Sequence, residues 1–102
     1  MTQAGETEFA VLTAVKWVRE GPFAVGMHFH QCYELVYYML DEGETVIEGQ
    51  AYPLGAAVFA LMPPGMLHGE THRGDSSLLV VQFTSPVPLP LTVGVDGSGE
   101  LY

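Results

Sequence analysis

Turn-forming residues cut this chain at intervals of about ten residues, a spacing that suits short strands. They fall at Gly21-Pro22, Asp41-Glu42-Gly43, Glu48-Gly49-Gln50, Pro63-Pro64-Gly65 and Arg73-Gly74-Asp75. Glycine reaches left-handed backbone conformations that other residues resist, and proline cannot donate to a ladder, so each cluster ends the element before it. The runs between them are Phe9 to Val18 (FAVLTAVKWV), Phe23 to His30, Tyr33 to Leu40 (YELVYYML), Val58 to Met62, Leu67 to His72 and Leu78 to Thr84 (LLVVQFT). They are rich in β-branched and aromatic side chains, which suit a pleated, half-buried surface, and show no amphipathic helical pattern. Thr45-Val46-Ile47 and Ala51-Tyr52 form the clearest hairpin, with Gly49 supplying the positive φ of the turn. Seven or eight short strands without a helix predict an all-β sandwich or barrel.

At 102 residues the chain holds one core, so residues 1–102 read as one domain with a single site. The barrel core is expected over about 9–84, and 85–102, where Pro alternates with apolar residues before VDGSGELY, as an extended C-terminal arm. Hydrophobic residues make up 48% and charged residues 15%, which excludes a disordered chain. With 3 Lys+Arg against 12 Asp+Glu the net charge is −9, a field that repels phosphate backbones and anionic lipid heads, so no direct nucleic-acid or membrane binding is expected. No apolar run approaches a bilayer span, and MTQAGETEF lacks a secretory layout, so a cytoplasmic protein is expected. The lone Cys32 has no partner for an internal disulfide.

The chemistry concentrates in His28-Phe29-His30-Gln31-Cys32-Tyr33-Glu34. His28, His30 and Glu34 share sequence parity, which on one strand puts them on one face. Two imidazoles and a carboxylate buried there without a cation would need other partners at a cost of a few kcal/mol. A shared divalent ion is the economical account, and the donor set suits Zn, Mn, Fe, Co, Ni or Cu alike. His68, after Pro63-Pro64-Gly65, is the expected fourth ligand, brought alongside by barrel closure.

The same residues resemble the two motifs of the cupin superfamily. His28, His30 and Glu34 match the first in spacing, with Asp41 where glycine is usual; Pro63, Gly65 and His68 match the second, with Ala57 and His72 in place of its glycine and asparagine. Asp41 is expected to tolerate a left-handed turn position, and Ala57 to mark a turn of different shape. The resemblance implies a double-stranded β-helix, or jelly-roll barrel, with His28, His30, Glu34 and His68 on a divalent transition metal. Within the superfamily, HQCYELVYY, EGQAYPL, MPPGMLH and VQF resemble the amino-terminal sensing and dimerisation domain of AraC-type transcription regulators. That implies a small-molecule effector in the barrel and a homodimer, with DNA binding carried by a following domain. The helices of such a reader are absent from this sequence, so an excised sensor domain or a member without its reader is expected.

The competing reading is a stand-alone metal-dependent cupin enzyme of dioxygenase or isomerase type, since the fold does not choose the function. Tyr37 and His72 are the candidates to contact the effector or substrate. Glu70 and His72 could serve such an enzyme as general base, though Glu70 reads first as an exposed loop residue, and Trp17, Phe23, Phe59 and Phe83 read as core or sheet-contact residues. The apolar segment Phe9 to Val18 and the Pro-rich tail are the expected dimer edges.

Overall fold

The computed structural model describes residues 8–102; residues 1–7, read above for the absence of a secretory layout, lie outside them. Every element is a strand: β1 Ala10–Arg19, β2 Phe23–His28, β3 Tyr33–Leu40, β4 Gly43–Ile47, β5 Gln50–Leu54, β6 Val58–Met62, β7 His68–His72, β8 Ser76–Thr84, β9 Thr92–Val95 and β10 Glu100–Leu101. They form a six-stranded sheet in the order β1-β8-β3-β6-β9-β10 and a four-stranded sheet in the order β2-β7-β4-β5, all pairings antiparallel. None of the described residues forms a helix long and apolar enough to cross a membrane.

The core lies between the sheets. On β3 the even positions Glu34, Val36 and Tyr38 are buried and the odd ones are not, the alternation of a strand with one covered face. Ile47, Val58, Ala60, Met62, Leu78 and Val93 complete it. The four aromatic residues stand outside this cluster, as sheet contacts rather than core: Trp17 is 49% exposed, and Phe23, Phe59 and Phe83 are half-buried, with Phe23 stacked on His72 and Phe83 on Tyr33.

The β4–β5 hairpin forms as expected, with Ile47 opposite Gln50 and both turn residues, Glu48 (φ 48) and Gly49 (φ 82), left-handed. Two readings of turns change. Ala57 adopts φ 68, so the turn keeps the conformation of the glycine it replaces. Asp41 is not left-handed; it is buried, and the unusual backbone sits at Gly43, where any Cβ would collide with the Thr71 carbonyl.

The segment read as an extended arm returns to the barrel. β9 pairs with β6 from Val58↔Val95 to Leu61↔Thr92, burying Val93, and β10 folds back on β9. The backbone N–H of Leu89 donates to the Tyr33 hydroxyl at 3.0 Å, fastening the Pro-rich stretch before it. The edge of β6 supplies unpaired backbone groups, and an apolar TVGV strand satisfies them.

Candidate metal centre

The candidate metal ligands meet at a corner between the sheets. β2 ends at His28, so His30 lies in the connection to β3, and Glu34 opens β3 in the opposite sheet. Shared parity on one strand therefore does not explain how they converge: the chain crosses from sheet to sheet between them. His68 enters as the cross-strand partner of His28 in the β2–β7 ladder. The Pro63-Pro64-Gly65 turn is pinned to the same corner, with the Gly65 N–H donating to the His30 carbonyl at 2.8 Å.

A bulge aims His28. The β2–β7 register shifts between Val25 and His28, and the displaced backbone presses on Gly69. A Cβ at Gly69 would stand 2.8 Å from Met27 Sδ and 2.9 Å from the Val25 carbonyl oxygen, so only glycine fits beneath this bulge.

His28, His30 and His68 each present a ring nitrogen, and these three atoms lie within 4.8 Å of one another. His28 Nδ1 donates to the Gly26 carbonyl at 2.7 Å and His68 Nδ1 to the Met66 carbonyl at 2.9 Å. Those bonds place the proton on Nδ1 and leave the Nε2 lone pair free, as metal-bound imidazoles require. His68 Nε2 is buried without a hydrogen-bond partner, a polar atom that a cation would satisfy. The donor set thus fits a divalent transition metal.

Glu34 stands beside this group. One carboxylate oxygen lies 2.8 Å from His30 Nε2 and the other 3.7 Å from His68 Nε2, while Gln82 Nε2 donates to it at 2.9 Å. Burial works to raise its carboxyl, but the adjacent His68 and His30 imidazoles and the hydrogen bond from Gln82 outweigh this and hold it below the ordinary value. Burial likewise opposes the charged form of His68, and the Glu34 carboxylate outweighs it, raising that imidazole.

The group lines one part of an open cavity of about 370 Å³ between the sheets, walled mainly by Trp17, Phe23, Val25, Val36, Met62, Leu78 and Val80. Tyr37 lies outside it. Its odd parity turns it to the opposite face of β3 from Glu34, and its hydroxyl donates to Asp96 at 3.2 Å. His72 is buried and does not line the cavity either. It stacks on Phe23 at 4.1 Å, with Nδ1 2.8 Å from Asp41 and Nε2 3.0 Å from Glu70. Two of the three residues that depart from the cupin motifs, Asp41 and His72, are therefore bonded to each other. Glu70, read as an exposed polar residue, does line the cavity, and parity with His68 and His72 on one strand was the signal that could have found it.

This sequence matches no protein-family model and no curated protein. Solved structures do match. A cupin described as RmlC-like from Shewanella frigidimarina is 19% identical, covers 80% of this chain and 79% of its own, and superposes with a TM-score of 0.66. The fold is that of a cupin. A predicted oxalate decarboxylase from Thermotoga maritima gives 23% identity, 74% of this chain, 68% of its own and a TM-score of 0.66. Bacillus subtilis oxalate decarboxylase, a protein with Mn(II) centres, gives 16% identity over 74% of this chain and a TM-score of 0.59; the match spans only 22% of that protein's length.

Proposed function

We propose that this chain is a metal-binding cupin sensor domain, in which His28, His30, His68 and Glu34 hold a divalent transition metal and the cavity beside it takes a small-molecule effector. One observation carries the reading. Among the described residues, the two buried side-chain atoms without a hydrogen-bond partner are His68 Nε2 and Ser76 Oγ, and both residues line the same cavity. Native interiors leave few such groups unpaired, so a cavity walled by both is matched to a cation and a polar ligand. The bound metal would supply Lewis-acid polarisation of a ligand oxygen.

Signalling is favoured by which strand lines the cavity. Trp17 and Arg19 line it from β1, the outermost strand of its sheet, which also carries exposed Val11, Leu12, Val15 and Val18. A second copy pairing along this edge would form an isologous dimer whose interface strand touches the ligand, as the resemblance to AraC-type domains implies. The enzyme reading keeps one specific support, the Glu70 carboxylate on the cavity wall beside the imidazole group.

Metal-loaded protein incubated with candidate small acids tests the choice. A sensor shows metal-dependent thermal stabilisation and returns the compound unchanged, since a molecule that binds only the native state raises its stability. Catalytic conversion of the compound, or metal-dependent O₂ consumption, would establish the enzyme reading instead. A concentration-independent monomer mass in sedimentation would remove the dimer.

A further inference from the structure

The cavity contains a polar group that the metal centre does not use. Glu70 stands two residues along β7 from His68, so its carboxylate faces the same side of the strand about 7 Å away at ordinary strand rise. It is held from behind on both oxygens. The Tyr38 hydroxyl, on the buried face of β3, donates to one, and His72 Nε2 bonds the other at 3.0 Å. His72 is fixed in turn by both carboxylate oxygens of Asp41, at 2.8 and 2.9 Å, and by the Phe23 ring stacked on it.

This support occupies one lone pair on each Glu70 oxygen, and an ionised carboxylate offers about four acceptor sites. The remaining acceptor capacity points into the cavity, where the wall is otherwise mostly apolar. Such a fixed, partly buried acceptor favours a donor on the ligand, because covering it with a ligand that cannot donate adds a desolvation cost. Two further features describe the rest of the ligand. Arg19, one of only three basic side chains in a chain of net charge −9, lines the same cavity, and a cation at the imidazole group would add positive charge. Both attract a carboxylate. Ser76 Oγ, buried and unpartnered, adds a second hydrogen-bonding point.

Building on the proposed metal-dependent ligand site, the geometry points to Glu70 as the residue that selects the ligand, and to a small hydroxy carboxylate as the class selected. The ligand's carboxylate goes to the cationic groups and its hydroxyl hydrogen to Glu70. Tyr38, His72 and Asp41 are positioning residues that act through Glu70.

The test uses Co(II)-loaded protein, whose visible spectrum reports a ligand entering the metal's coordination sphere, and two shape-matched pairs of probes: 3-hydroxypropionate against butyrate, and 4-hydroxybutyrate against pentanoate. Each pair exchanges a hydroxyl for a methyl. In at least one pair the hydroxyl compound should bind roughly tenfold or more tightly, the size of a hydrogen bond to a charged group. Glu70→Met, which keeps the side chain's length and removes both acceptor oxygens, should abolish that preference while cobalt content stays unchanged. Should this variant fail to fold, the wild-type comparison with the methyl ether of the favoured hydroxy acid decides, because the ether keeps the oxygen and loses the hydrogen. Cobalt uptake with no hydroxyl preference in either pair, or a preference that survives Glu70→Met, overturns the assignment of Glu70 and leaves the metal site standing. No cobalt uptake by the wild-type protein overturns the metal reading itself, and this assignment with it.

Discussion

Replacing His72 with leucine is expected to be among the most damaging single changes away from the metal centre. The side chains of His72 and Asp41 are fully buried, and the imidazole is held between the carboxylates of Asp41 and Glu70. Breaking a buried pair by removing one partner costs about 3–5 kcal/mol, chiefly because the remaining charge loses its compensation. Loss of the Phe23 stack adds about 0.5–1.5 kcal/mol. The sum is a large share of the roughly 5–15 kcal/mol that stabilises a domain of this kind. Asp41→Asn alone should be milder, since an amide oxygen still accepts from Nδ1 and the Glu70 carboxylate still faces Nε2. Burial already pushes the Asp41 carboxyl above its ordinary value despite the bond from His72, so the neutral side chain suits the site. The double variant should cost at least about 2 kcal/mol less than the sum of the singles, because the neutral amide leaves no charge to be stranded when the imidazole is lost. Urea unfolding followed by the fluorescence of the single tryptophan, Trp17, measures all four corners of the cycle. Additivity within about 0.5 kcal/mol, or a His72→Leu cost below about 1 kcal/mol, would refute the idea that these two departures from the cupin motifs compensate each other.

Three more outcomes are expected. His30→Ala and His68→Ala should each cut the metal content of the purified protein sharply by elemental analysis, and the metal reading fails if the wild type holds no stoichiometric metal and His30→Ala is equally stable. Gly69→Ala, whose Cβ would meet the Val25 carbonyl and Met27 beneath the β2 bulge, should destabilise the fold by about 1–3 kcal/mol and weaken metal binding, as it disturbs the strand that aims His28; normal metal affinity in a folded variant would dismiss that role. Ala57→Gly relieves a left-handed alanine worth about 1–2 kcal/mol and gives back about 0.4–1 kcal/mol in unfolded-chain entropy, so stability should rise by up to about 1.6 kcal/mol in calorimetry.

The sequence by itself determined the local features. Turn chemistry and β-rich runs set the strands, because backbone preferences of Gly, Pro and β-branched residues act over a few positions and need no distant partner. The β4–β5 hairpin is the clearest case: a two-residue turn at Glu48-Gly49 fixes the register of the strands it joins. The residue types at 28, 30, 34 and 68 likewise named a metal-ligating set before any pairing was known. Tertiary structure decided everything that depends on which strands become neighbours. Parity could show that Tyr37 and Glu34 point opposite ways, but only the packing of one sheet on the other decides which way is inward. The pairing of β2 with β7 puts His68 across from His28, and the crossing between sheets, rather than alternation along one strand, gathers His30 and Glu34. Asp41 and His72 meet across 31 residues, and Glu70 gains its place on the cavity wall from the same ladder. The tail joined the barrel for the same reason: an edge strand's unpaired backbone groups recruit whatever strand the fold brings within reach, and no local pattern in residues 85–102 records that edge.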